Sequence, residues 1–282
     1  MIEIKEYLLS ANKKNKTSKI HVSNGYLKQI VNNEIAKNGL DADLNYIDVS
    51  EVSDFSYAFT DYSMFCGDVS EWDVSTGKNF SFMFGGCEDF NCDISQWDMS
   101  NAIKAKGMFS YCRSFNQDLS RWDVSNIVYA ERMFANCFSF VSNVGNFNFY
   151  SLEQCEAMFI NCSKFNQDVS NFMNGHAKED ITSIFNGCTS FEGKGLENWK
   201  TNKIKRAAKA FKNCKRLNAD LSNWDLSSLY DAESMFEGCE SLNCDCSNWI
   251  LNKSLQNFQQ GAKKMFFKSG VKKAFRPTKF TH

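Results

Sequence analysis

The sequence predicts an α/β repeat solenoid, with one short strand and one short helix in each repeat of about 25 residues. Three observations carry this. Phenylalanines recur at 59, 84, 109, 134, 159, 185, 211 and 236, at spacings of 25, 25, 25, 25, 26, 26 and 25 residues. A side chain returning at such a period marks a supersecondary unit copied end to end, which must stack on its neighbours to bury its apolar face. Other side chains hold the same register. A hydrophobic content of 43%, an aromatic content of 15% and a single proline, Pro277, suit a long, regular core.

The elements follow in chain order. Residues 1–39 read as an N-terminal cap, with a strand at Lys19 to Val22 and a helix from about Gly25 to Lys37. Ser23 or Asn24 would cap that helix and Asn38-Gly39 would stop it. Leu27, Ile30, Val31 and Ile35 would cover the first turn of the solenoid. Residues 40–250 read as about eight repeats, beginning with a half repeat at Asp43 to Ser50. Within each, the stretch typified by Ile127, Ala130, Met133, Phe134 and Cys137 repeats at three and four residues, the stripe of a short helix. Ser75, Ser100, Ser125 and Ser227 would cap such helices. The stretch FNQDLSRW reads as a short strand turning Phe115, Leu119 and Trp122 inward. Stacked strands would lie about 4.8 Å apart, so that eight rungs span roughly 40 Å. Residues 251–282 read as a C-terminal cap and basic tail, with Phe258, Met265, Phe266, Phe267 and Phe275 covering the last rung.

Counted from each key Phe, Cys falls three residues on at 87, 112, 137, 162, 188, 214 and 239. Phe or Leu falls six on, an aliphatic residue ten on, and Trp or Phe thirteen on. Twelve cysteines invite a metal or disulfide reading. The simpler one is a column of small buried groups, because parallel side chains on adjacent rungs do not face one another as a disulfide requires. Cys244-x-Cys246 is a weak metal motif by itself, and Cys92 and Cys244 are expected nearer the surface. Two acidic columns run alongside: Asp68, Asp93, Asp118, Asp168, Asp220 and Asp245, and Asp73, Asp98, Asp123 and Asp225. Backbone N–H groups in tight turns would offset their repulsion; a calcium ladder is the sharper alternative. The asparagines at 91, 116, 166, 218 and 243 suggest a structural ladder of their own.

The net charge of −1 hides segregation: residues 41–199 carry −14, residues 200–216 carry +8, residues 217–249 carry −7 and residues 250–282 carry +8. The basic segment comprises Lys200, Lys203, Lys205, Arg206, Lys209, Lys212, Lys215 and Arg216. It is either a solvated face or a contact for phosphates or an acidic partner. The tail lysines invite the same reading, with Phe266, Phe267 and Phe275 expected as cap core rather than as base-stacking platforms. His21, His176 and His282 stand at no ligand spacing, and no recognised catalytic or phosphate-binding sequence occurs. The expectation is therefore a non-enzyme without cofactor, metal or small-molecule substrate. The start MIEIKEYLLSANKKNK is no secretory signal, and no stretch approaches the roughly 20 apolar residues of a membrane helix, so a cytoplasmic location is expected.

The segments MFGGCEDFNCDISQWDMSN, MFSYCRSFNQDLSRWDVSN and MFEGCESLNCDCSNW resemble the BspA-type leucine-rich repeat family, in particular its bacterial subset of 25-residue MFxxCxxFNxDxSxWDVS repeats. The likeness covers about residues 43–250. It implies a leucine-rich-repeat-like right-handed superhelix used for binding, as in surface members linked to adhesion, and no general catalytic activity. The leading expectation is a protein-binding scaffold. Its candidate contact residues precede each Trp or its equivalent: Glu71, Gln96, Arg121, Asn146, Asn171, Asn223 and Asn248. Variation on a fixed frame is how solenoids set partner choice. A second expectation is an acidic inhibitor, phage- or mobile-element-encoded, that blocks a nucleic-acid-binding enzyme. A third is RNA or DNA binding through the basic C-terminal quarter.

Overall fold

A computed structural model describes residues 19–175, 178–253, 255 and 261–277. Expectations that fall on Phe258, His176, His282 and Lys279 lie outside the described residues. Successive repeats stack into a repeat solenoid, and the key phenylalanines form one continuous pile. Ring centroids from Phe59 through Phe84, Phe109, Phe134, Phe159, Phe185, Phe211 and Phe236 lie between 5.0 Å and 5.9 Å apart at each step. The pile continues to Phe266, 5.8 Å beyond Phe236, so residues 261–270 form a ninth rung after a spacing of 30 residues. A second pile runs beside it through Phe65, Phe90, Phe115, Phe140, Phe165 and Phe191. These rings are fully buried, and the offset stacking suits their quadrupoles.

At the N-terminal end, β1 (Ile20–His21) pairs in parallel with β2 (Ile47–Asp48) of the half repeat. Helix α1 (Leu27–Asn38) buries Leu27, Ile30, Val31 and Ile35, as its spacing requires. It ends at Gly39, whose φ of 97° only glycine adopts readily and whose N–H donates to the Ile35 carbonyl at 2.8 Å. Its N-terminus differs from expectation. Tyr26 occupies the cap without a side-chain bond, and Asn24 instead accepts from the N–H groups of Ser53 and Asp54, which ties the cap to the first rung.

The expected helix and strand of each repeat do not form. In the second rung the N–H groups of Phe80, Phe82, Phe84 and Gly86 donate to the carbonyls of Lys104, Lys106, Met108 and Ser110 on the next rung, at 2.7 to 3.0 Å. The alternate N–H groups of Met83, Gly85 and Cys87 close tight turns onto Phe80, Phe82 and Phe84. Every second donor is thus spent between rungs, which leaves none for an i to i−4 helix ladder. The chain achieves this by taking positive φ two residues before and two after the key Phe, as at Arg132 (57°) and Asn136 (62°) or Lys209 (57°) and Asn213 (61°). Parallel bridges join Asp54, Asn79, Lys104, Tyr129 and Gln154, then Asp180, Arg206 and Asp231. Most of the inter-rung bridging therefore lies in the segment read as helix, with one bridge, Asp43 to Asp68, in the column read as strand. FNQDLSRW itself forms no regular strand and turns at residues 120–121, where Trp122 N–H closes on the Leu119 carbonyl. A 3-10 turn, Leu196–Asn198, carries the insertion of the sixth repeat. Near the other end β3 (Asp225–Leu226) pairs in parallel with β4 (Ile250–Leu251).

Candidate functional site

Most repeated polar side chains are engaged in holding the stack. Each ladder thiol donates to the carbonyl of the key Phe one rung back: Cys112 to Phe84, Cys137 to Phe109 and Cys188 to Phe159, all at 3.0 Å. Burial pushes the Cys87 thiol up to about 12 and raises the others further. They are inert packing groups with one donor each, as the sequence pattern suggested. Cys92 is half-buried, but Cys244 is buried, contrary to expectation; both sulfurs accept a backbone N–H, from Val69 and Leu221. Each tryptophan Nε1 donates to the aliphatic residue one rung back, as Trp122 does to Ile94 at 3.1 Å and Trp249 to Leu221 at 2.7 Å.

The acidic columns lock turns. Oδ1 of Asp68, Asp93, Asp118, Asp168, Asp220 and Asp245 accepts the N–H two residues on, at 2.9 to 3.0 Å. The bond from the Ser70 N–H, with its hydroxyl, holds the Asp68 carboxyl down at about 2. Asp73, Asp98, Asp123 and Asp225 treat Ser75, Ser100, Ser125 and Ser227 in the same way, so those serines close turns rather than cap helices. Asn91 and Asn116 accept from the backbone of the following rung, at Asn116 and Val141, and Asn166 from Glu192. Among the described residues no group of three or more His, Cys, Asp or Glu is placed to hold a metal ion. No helix among them is long and apolar enough to cross a membrane.

One repeated column is exposed on every rung where it is described, although Asn171 also donates to the Gly145 carbonyl and Gln96 to the Ser95 hydroxyl. Glu71, Gln96, Arg121, Asn146, Asn171, Asn223 and Asn248 are all exposed, at one position of seven rungs. Arg121 reaches back to Gln96 Oε1 at 3.1 Å, so adjacent members touch. The tryptophan or phenylalanine that follows each one is anchored in the core, which fixes where the column points.

Five of the eight cations of the segment 200–216 stand opposite carboxylates. Lys205 pairs with Glu179 at 2.8 Å, Lys212 with Glu237 at 3.1 Å, Lys215 with Glu240 at 3.7 Å and Arg216 with Glu192 at 2.7 Å; Arg206 pairs with Asp180. Stacking sets each cation against a carboxylate of a neighbouring rung. Lys200, Lys203 and Lys209 remain exposed.

An open groove of about 470 Å³ crosses the middle rungs, lined by Lys106, Glu131, Glu156, Asp180, Arg206 and Asp231 among others. Lys106 pairs with Glu131 at 3.2 Å and Arg206 with Asp180, whereas Glu156 between them has no ion pair among the described residues. One carboxylate oxygen each of Glu131 and Glu156 is buried without a hydrogen-bond partner among the described residues. Burial, with Asp180 and Glu131 alongside, raises the Glu156 carboxyl above its usual range. Nearby, Lys178 is fully buried; its ammonium donates to the carbonyls of Phe149, at 2.8 Å, and Asn174, and burial lowers it to about 8.

A family model described as "Mycoplasma protein of unknown function, DUF285" matches four overlapping stretches, residues 27–141, 68–172, 102–194 and 173–274. The repetition of the match along the chain is consistent with a BspA-type repeat family. No curated protein matches. A solved chain described as "Crystal structure of TLR13-ssRNA13 complex" is similar over 83% of this chain and 38% of its own length, at 12% identity and a TM-score of 0.24. This chain thus spans little more than a third of that one, and so low a score carries no argument.

Proposed function

The chain belongs to the DUF285 family, and on that premise we propose that it is a non-enzymatic scaffold that binds another protein through an exposed face of its solenoid. The observation that carries this reading is the column of Glu71, Gln96, Arg121, Asn146, Asn171, Asn223 and Asn248, exposed at one position of seven rungs while the repeated Cys, Asp and Trp side chains around it are engaged. Varied side chains on an invariant frame make an extended, tunable contact surface. We place the chain in the 25-residue BspA-type subset, on the register of its Phe, Cys, Asp and Trp columns. We infer right-handed winding, because connections between parallel neighbours in one sheet are right-handed in about 98% of cases. A cytoplasmic location accords with the many buried, unpaired thiols.

The reading as an acidic inhibitor draws less support. Three carboxylates of the −14 stretch on which it rests, Glu179, Asp180 and Glu192, are paired with cations of residues 205–216. The test of the scaffold is capture of a partner from the native host, repeated with Gln96→Trp, Asn146→Trp and Asn223→Trp together. Loss of the partner with an unchanged thermal midpoint supports the reading; retention at full strength refutes it for this face.

A further inference from the structure

Two basic segments that look alike in the sequence part company in space. Residues 205–216 are matched by carboxylates on adjoining rungs. The ninth rung is not. Lys263, Lys264, Lys268, Lys272 and Lys273 are exposed, and among the described residues none forms an ion pair. Of the carboxylates of the preceding rung, Glu240 is held by Lys215, and Glu237 by Lys212 with a weaker attraction from Lys264. Residues 250–282 contain no Asp or Glu.

The same surface presents an aromatic ring. Phe266 turns inward onto Phe236, whereas Phe267 is 48% exposed, which corrects its expected place in the core. The ammonium groups of Lys264 and Lys268 lie 5.7 Å and 5.5 Å from the Phe267 ring centroid. Both lysines take the positive φ of their rung position, 58° and 55°, so the stack itself sets where they leave the backbone.

We propose that this ninth rung binds single-stranded nucleic acid, with Phe267 as the platform for one base and the five lysines as contacts for the neighbouring phosphates. Lys264 and Lys268 lie over the half-exposed ring; a base that stacks there displaces an ammonium group, which is then free to reach the neighbouring phosphate. An acidic peptide would use the lysines and leave the ring uncovered. This activity is separate from the scaffold reading, which rests on a different column of residues, so either can fail alone.

The experiment is fluorescence anisotropy of a labelled 20-nucleotide oligothymidylate titrated with the full chain between 50 and 200 mM salt. Contact with three to five phosphates gives a slope of log affinity on log salt of about −2 to −3.5. Phe267→Ala should weaken binding about 5- to 100-fold, the range for loss of one stacked base. Lys264→Glu with Lys268→Glu should abolish most binding, and Lys203→Ala with Lys209→Ala should leave it unchanged. Phe267 is half exposed, so its variant should keep the parent circular dichroism and thermal midpoint, and these are measured alongside. Absence of binding at 50 mM salt overturns the proposal, as does equal sensitivity to the Lys203 and Lys209 changes. So does competition by polyglutamate at equal charge combined with indifference to Phe267→Ala, which would assign the surface to an acidic protein.

Discussion

Replacing Arg132 and Lys209 together by glycine should stabilise this protein, although both lie in segments whose apolar spacing reads as helix. Their φ angles are 57° each, in the left-handed region where a Cβ is crowded. That conformation costs a non-glycine residue about 1–2 kcal/mol, and glycine removes the cost. Against this, glycine loosens the unfolded chain by about 0.4–1 kcal/mol. The difference is about 0–1.5 kcal/mol of stabilisation at each site. Both side chains are exposed, so little packing is lost. They stand three rungs apart, so their effects should add. Together they should raise stability by about 1 kcal/mol, read as a higher urea midpoint at unchanged slope. In a helix the sign reverses, because glycine costs about 0.8–1 kcal/mol per site relative to alanine. A midpoint lowered by the equivalent of 1 kcal/mol or more would refute the account of the inter-rung hydrogen bonds. Arg132→Val is the opposing control: a β-branched residue in the left-handed region should destabilise.

Further outcomes follow from the same geometry. Phe134 is fully buried between Phe109 and Phe159, whose rungs are hydrogen-bonded and cannot close over a gap. Phe134→Ala should therefore cost about 3–5 kcal/mol in chemical denaturation, and a loss of a few tenths would count against the stack. Thiol labelling of the native protein should modify exposed Cys66 first and spare the seven ladder cysteines; fast labelling of the ladder would contradict their burial. The Glu156 carboxyl titrates higher in the folded chain than its ordinary value of 4.5, so the folded state holds the proton more tightly. Stability should then fall as pH climbs from about 4.5 through the raised folded value, and Glu156→Gln should flatten that limb. An unchanged pH profile in the variant would remove Glu156 as its source.

The stacking was legible because aromatic rings and thiols return at a period too long for any single element. Local conformation was misread for a physical reason. The spacing of Ile127, Ala130, Met133, Phe134 and Cys137 suits a helix, but tight turns broken by left-handed residues bury the same positions. The sequence did carry a sign of this: Gly86, Asn136, Asn161, Gly187, Asn213 and Gly238 recur two residues after the key Phe, and glycine and asparagine tolerate positive φ best. The fate of residues 200–216 was hidden by reading charge along the chain. Glu179, Asp180, Glu192, Glu237 and Glu240 are 24 to 26 residues from their partners, adjacent only once the repeats are superposed. The exposed column before each tryptophan was visible for the complementary reason. An anchored indole leaves its predecessor little choice but solvent.

The near-constant step of the phenylalanine pile, 5.0 to 5.9 Å between ring centroids, makes the stack a graduated one in which equivalent outer positions return once per rung. A ligand that is itself periodic at that interval would meet the stack in many equivalent alignments. Sliding by one graduation would forfeit only the terminal contact. Tightness would then grow with the length of overlap, while the choice of alignment would fall to the few places where the graduations differ, such as Arg121 among its neutral neighbours.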